Sequence, residues 1–154
     1  MSEHLATVSW QRGSAAFTDN RYSRTHEWRF DGGAVVAASA SPDVVPLPYS
    51  DPAAVDPEEA FVAAVASCHM LWFLSLAAKR GVVVDDYTDR ATGKMHKDES
   101  GRESIVEVVL RPRIRYSGEK QPDAAATEAL HHSAHKHCFI ANSIRSQVRI
   151  EPAE

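Results

Sequence analysis

Asp56-Pro57-Glu58-Glu59-Ala60-Phe61-Val62-Ala63-Ala64-Val65-Ala66-Ser67-Cys68-His69-Met70-Leu71-Trp72-Phe73-Leu74-Ser75-Leu76-Ala77-Ala78-Lys79-Arg80-Gly81 is the stretch on which the fold turns. Asp56 suits an N-cap, Pro57 suits the first helical position, where no N–H is needed, and Glu59 completes a D-x-x-E capping box. Glu58 and Glu59 favour the positive end of the helix dipole, Lys79 and Arg80 the negative end. Gly81 can adopt the left-handed conformation that ends a helix. These signals predict a helix over 57–80. From Ala60 to Ala78 no Asp, Glu, Lys or Arg interrupts it, so it approaches the length of a membrane span. Its alanine richness, with Ser67, Cys68, His69 and Ser75 inside it, fits a core helix, apolar on all sides and in need of cover.

Outward from this helix the pattern changes to strands and turns. Leu5 to Gln11, His26 to Phe30 and Ala34 to Ser39 read as short strands, with Asp31-Gly32-Gly33 as a turn between the last two. Pro42 to Pro57 holds five prolines and reads as an extended loop. Val82 to His96 and Ser104 to Ser117 read as the two arms of a hairpin turning near Asp98 to Gly101, with Pro112 marking an edge or bulge. Pro122 to His137 reads as a second helix and Ser143 to Glu151 as a closing strand. The order β-β-β-α-β-β-α-β gives an α+β fold, expected as one domain over 1–154. No internal repeat, dinucleotide-binding glycine motif or phosphate-binding loop interrupts it.

Composition narrows the function classes. The chain has 154 residues, 44% hydrophobic and 25% charged, with a formal net charge of -4, ordinary values for a folded globular protein that needs no disulfide or metal staple. Arg111, Arg113 and Arg115 alternate on one strand face, but acids are scattered around them, and nucleic acid is not an expected partner. Met1 to Thr7 has no basic stretch leading into an apolar run, so the expected compartment is the cytoplasm, with no membrane partner.

Two cysteines carry the chemistry. Cys68 lies midway along the central helix, and Cys138 follows the second helix in His135-Lys136-His137-Cys138-Phe139-Ile140-Ala141-Asn142-Ser143. A cytosolic chain of this size rarely needs a structural disulfide. By count alone each is best read as a small buried hydrophobe. The surrounding residues change that. Asp56-Pro57-Glu58-Glu59-Ala60-Phe61 with Cys68 ten residues after Glu58, and Ala134-His135-x-x-Cys138 followed by Asn142 and Ser143, resemble the two cysteine motifs of the OsmC/Ohr family, the osmotically inducible and organic hydroperoxide resistance proteins. Element order and length are similar as well.

The resemblance implies an OsmC-like fold, antiparallel sheets around a long buried helix, in an intertwined homodimer. It implies a peroxiredoxin-like, antioxidant activity: Cys68 as the peroxidatic thiol, Cys138 as the resolving thiol, and Glu58 as a carboxylate paired with an active-site arginine. Arg24 best matches the place of that arginine, Arg21 is its rival, and the strand Ala34–Ser41 offers none. No cofactor and no metal are implied. A dithiol reductant is, whether a lipoylated protein, a thioredoxin-like protein or a small thiol. Two departures are local: His69 and Met70 follow Cys68 where many relatives have an apolar residue, and Phe139 follows Cys138 where proline is common.

The chemistry suits these residue types. A thiolate attacks the O–O bond, so the attacking cysteine needs a nearby positive charge. Arginine stays charged and its planar fork can pair with a carboxylate while pointing N–H groups at the sulfur and the peroxide. The resulting sulfenic acid condenses with a second thiol, which protects the first from irreversible oxidation. Ten residues of helix separate Glu58 from Cys68 by about 15 Å and leave them about 80° apart around the axis. If Glu58 and its arginine serve Cys68, they are expected from a second subunit, whose central helix packs antiparallel on the first.

Two other readings remain open on the residues. His131, His135 and Cys138 fall on one helix face, with His132 and His137 nearby, as zinc ligands would, although histidines also suit a helix C-terminus. A binding or stress-associated member of the same fold without efficient turnover is the second. His69 reads as a packed or interfacial histidine, and Phe61, Met70, Trp72 and Phe73 as core that could also line an apolar pocket.

Overall fold

The Glu59 N–H donates to Asp56 Oδ1 at 2.7 Å and the Asp56 N–H to Glu59 Oε2 at 3.2 Å, so the capping box closes in both directions. In the computed structural model, which describes residues 2–153, the helix that begins there, α1, runs Pro57–Lys79 and ends at Gly81 with φ +71°, the left-handed stop its sequence predicts. Three strands precede it, β1 (Ala6–Ser9), β2 (His26–Phe30) and β3 (Val35–Ala38). After it come β4 (Val83–Asp89), β5 (Thr92–Lys97), β6 (Glu103–Leu110), β7 (Pro112–Ser117), α2 (Ala124–His137), a 3-10 turn (Ala141–Ser143) and β8 (Gln147–Ile150).

The chain divides into two compact units, Met1–Ala60 and Phe61–Glu154. The first is the antiparallel sheet β1-β2-β3 with its loops. A parallel bridge joins Ala38 to Val55, and Ser39 Oγ accepts the Asp51 N–H at 2.9 Å, which ties the proline-rich loop back to β3. Trp10, Phe17 and Tyr22 pack together, with ring centroids 5.8, 5.3 and 4.7 Å apart.

The second unit has the hydrophobic core. Phe73, Ala77, Val82, Leu130 and Ala134 are buried between α1, α2 and the β4-β7 sheet, with Ile114 and Tyr116 packed against them. A neighbouring cluster joins Val65 of α1 to Val108 and Leu110 of β6 and to Val148 and Ile150 of β8. Gly93 lets β5 approach α1: a Cβ there would stand 2.7 Å from Val62 Cγ2, closer than packed atoms tolerate.

The sequence reading takes each hairpin arm as one strand, and the fold divides both. β4 pairs with β7 and β5 with β6, so the hairpin exists, but it breaks at Arg90–Ala91 on one arm and at Arg111 on the other. The cause is chemical. Pro112, opposite Asp89, has no N–H for the ladder, and the preceding Arg111 N–H goes to the Asp89 side chain at 2.7 Å. The closing strand differs as well: β8 pairs with β6 in parallel within otherwise antiparallel sheets.

Cover for α1 comes along one line. Val65, His69, Phe73 and Ala77, each four residues apart, are buried, whereas Ala63, Ala64, Ser67, Leu71, Ser75 and Ala78 are exposed. By length and composition alone α1 could cross a membrane. Its buried line makes it the core helix of the second unit. Among the described residues the opposite face of α1 is exposed.

Candidate active site

Both cysteines are free thiols, Cys68 half-buried and Cys138 buried. Cys68 sits midway along α1. Cys138 is the C-cap residue of α2, its N–H donating to the His135 carbonyl at 3.2 Å, so the end of that helix fixes its position. The Ala141 N–H points at Cys138 Sγ, 3.4 Å away. The two cysteine side chains lie near each other. Burial first, and then the neighbouring Cys68, push the Cys138 thiol up to about 11, with the Ala141 N–H opposing the rise. Cys138 therefore stays a neutral thiol near pH 7 and can donate its hydrogen toward Cys68.

A second pair of side chains joins α1 to α2. His69, directly after Cys68, is 1% exposed and His131 3%. His69 Nε2 and His131 Nδ1 share a hydrogen bond of 3.0 Å, the rings nearly parallel at 11°, and Phe73 packs on His131 at 4.5 Å between centroids. Burial, then the neighbouring His131 and His135, lowers His69 to about 3; burial alone lowers His131 to about 4. Both are neutral at physiological pH. His69 Nδ1, His131 Nε2 and His135 Nδ1 are buried without a hydrogen-bond partner among the described residues. Trp72 carries His137 and the exposed Phe139 on its ring, at 5.1 and 5.4 Å.

The arginine and carboxylate expected from the sequence both lie in the first unit. Arg24 is half-buried and held by its own loop. Its backbone N–H donates to the Tyr49 carbonyl at 2.8 Å, and its guanidinium donates to the Asn20 carbonyl at 3.0 Å, to Asn20 Oδ1 at 2.6 Å and to the Tyr22 carbonyl. It also lies over the Tyr22 ring, 3.7 Å from the centroid, a cation–π contact. Asn20 takes φ +62°, a left-handed turn that asparagine tolerates. Arg24 lines a cleft of about 360 Å³ with Val8, Trp10, Tyr22, His26 and Pro57. Arg21 is exposed. Glu58 is half-buried in the first turn of α1, and among the described residues it has no ion-pair partner. One chain thus joins Cys68 to Cys138 and leaves Arg24 and Glu58 unpaired with each other.

Sequence reasoning treated His69 and His131 separately, the first as packing and the second as a possible zinc ligand. The seven-residue spacing from His131 to Cys138 was the available signal that the histidine shares a face with the thiol. Among the described residues no three His, Cys, Asp or Glu side chains form a group that could hold a metal ion, and His131 bonds to His69 instead.

Three comparisons bear on this arrangement. A family model described as OsmC-like protein matches residues 50–153. No curated protein sequence matches. Among solved structures, an OsmC-like protein of unknown function from Vibrio cholerae is 55% identical over 99% of this chain and 100% of its own, with a TM-score of 0.97. Two others show the same fold at low identity: an organic hydroperoxide resistance protein OsmC from Legionella pneumophila (18% identity, TM-score 0.69, 99% of this chain and 96% of the other), and the organic hydroperoxide resistance protein OhrB of Bacillus subtilis (19%, 0.66, 99% and 98%). With a model match over most of its length and a relative more than half identical, the chain belongs to the OsmC-like protein family.

Proposed function

We propose that this protein is a two-cysteine thiol peroxidase that reduces organic hydroperoxides, with hydrogen peroxide as a second substrate to be tested, as part of oxidative-stress defence in the cytoplasm. The observation that carries the reading is the pairing of a half-buried mid-helix thiol, Cys68, with a buried neutral thiol at a helix end, Cys138. The Cys68 thiolate attacks the outer peroxide oxygen, the O–O bond breaks, and the alkoxide leaves as an alcohol after taking a proton. Cys68 is now a sulfenic acid. Cys138 attacks its sulfur, an S–S bond forms as the S–O bond breaks, and the Cys138 proton leaves with the hydroxide as water. A dithiol returns two electrons and two protons to the disulfide. No metal or cofactor enters the cycle.

Arg24 and Glu58 are assigned the positive charge and its carboxylate, contributed by a second copy of the chain. Helix geometry argues for the second copy, since about 15 Å of helix separates Glu58 from Cys68. The exposed face of α1, uncharged and mostly small from Ala63 to Ala78 with Leu71 at its centre, suits close packing of two such helices in a homodimer. Arg24 rather than Arg21 is assigned because it lines a largely apolar cleft, which also suits the organic part of a hydroperoxide. The names of the Legionella and Bacillus structures agree with this substrate class.

The test is reduction of cumene hydroperoxide and hydrogen peroxide, coupled to dithiothreitol or dihydrolipoamide, by wild type, Cys68→Ser and Cys138→Ser. Turnover lost in Cys68→Ser, with Cys138→Ser overoxidising at Cys68, supports the cycle. Absent turnover with intact thiols returns the protein to the second reading, a binding member of the fold.

A further inference from the structure

We infer that the buried His69–His131 hydrogen bond is a positioning element that holds Cys68 and Cys138 in register and thereby sets the rate at which their disulfide closes; the inference rests on the proposed thiol cycle. It ties a side chain of α1 to a side chain of α2 across 62 positions of sequence. His69 is the residue after Cys68, and seven residues, about two turns, separate His131 from Cys138, so on α2 the two fall within about 20° of one face. The helices therefore meet twice: imidazole on imidazole, and thiol on thiol.

A core has little reason to bury two imidazoles for stability alone. An apolar pair of the same shape is often as stable or more so, and a buried polar contact is best understood as fixing one arrangement among several apolar ones. Here the arrangement fixed is that of the two sulfurs. The imidazoles are not suited to be the base that takes the Cys138 proton: with His69 lowered to about 3 and His131 to about 4, neither holds a proton near pH 7. That proton goes to the departing oxygen, and what the histidines contribute is the approach of one sulfur to the other, where small displacements cost much rate.

The experiment measures closure directly, in the full-length protein, with diamide, which forms an adduct on one thiol and is released as the hydrazine when the other thiol displaces it. This oxidant needs no peroxidase activity. His131→Leu removes the bond; His131→Asn keeps a hydrogen-bonding atom near the place of Nδ1. Closure is expected to slow about tenfold in His131→Leu, the weight of one hydrogen bond, and to recover to within about threefold of wild type in His131→Asn. With peroxide, the Leu variant should yield more trapped sulfenic acid and more overoxidised Cys68. Unchanged closure in folded His131→Leu, or no recovery in folded His131→Asn, overturns the inference. Should His131→Leu not fold, His69→Leu against His69→Gln, whose amide reaches the place of Nε2, gives the same contrast. Slowed diamide closure in a protein whose wild type ignores peroxide would sink the peroxidase proposal and leave the positioning role standing.

Discussion

The thiol half of the candidate site and its arginine–carboxylate half are built on different terms. Cys68 and Cys138 meet within one chain, in the unit that holds both hydrophobic clusters. Their positions are set by a long capped helix, by a helix end and by a buried imidazole pair. Arg24 sits in a loop whose anchors are local, from Asn20 and Tyr22 with one backbone bond to Tyr49. Glu58, at the helix start, has no partner of its own among the described residues. Sulfur chemistry needs the two thiols at bonding distance at the moment of closure, so it favours a rigid core. A charge that must be brought to a peroxide can instead reside on a loop.

The contrast is sharpest at the nucleophile. Cys68→Ser should abolish turnover, a loss of at least about a thousandfold, because a hydroxyl does not replace the thiolate; coupled peroxide consumption reads it. Next in size, Arg24→Met should lower the rate of Cys68 oxidation by about a hundredfold, as removal of a charge aimed at a reacting centre does, while Arg21→Met stays within about twofold. Equal effects at both arginines would break the assignment. Because Glu58 only orients the guanidinium in this account, Glu58→Gln should cost less, about tenfold.

In the core half the readout is stability. Phe73→Ala, at a fully buried position, should cost about 3–5 kcal/mol in denaturant unfolding. The histidine pair makes stability pH-dependent. Both imidazoles are held below 6.5, His69 at about 3 and His131 at about 4, so between those values and 6.5 the unfolded chain binds protons that the folded chain refuses. Stability is then independent of these groups above pH 6.5 and falls as pH drops, by up to about 1.4 kcal/mol per pH unit for each histidine. Unfolding curves at pH 7 and pH 4.5 check the sign, and a folded His69→Leu/His131→Leu protein should show a flatter dependence. Smallest of these effects, Glu59→Ala should cost about 1 kcal/mol or less, since it removes one arm of the capping box.

Local signals were readable in the sequence. The caps of α1, the Gly81 stop, strand β2 and the hairpin turn all follow from neighbouring residue types. The break at Arg111–Pro112 was half readable: proline announced an irregularity, but the Asp89 carboxylate that takes the Arg111 N–H lies 22 residues away. The parallel pairing of β8 with β6 depends on where α2 delivers the chain, and periodicity does not carry that. Cysteine roles came from motif resemblance, whereas the meeting of the two thiols is a tertiary fact. So is the His69–His131 bond, between residues 62 positions apart. On its own helix His69 reads as packing and His131 as a candidate zinc ligand, and neither reading points to the other.

The central claim is that Cys68 and Cys138 act as one redox pair, and the direct measurement is titration of the reduced protein with cumene hydroperoxide, followed by thiol counting and mass mapping of peptides. The account predicts that one equivalent of peroxide removes both thiols of each chain and yields a single Cys68–Cys138 disulfide within that chain. Thiols that survive an equivalent of peroxide, or a disulfide that links two chains in place of the intrachain one, would contradict it.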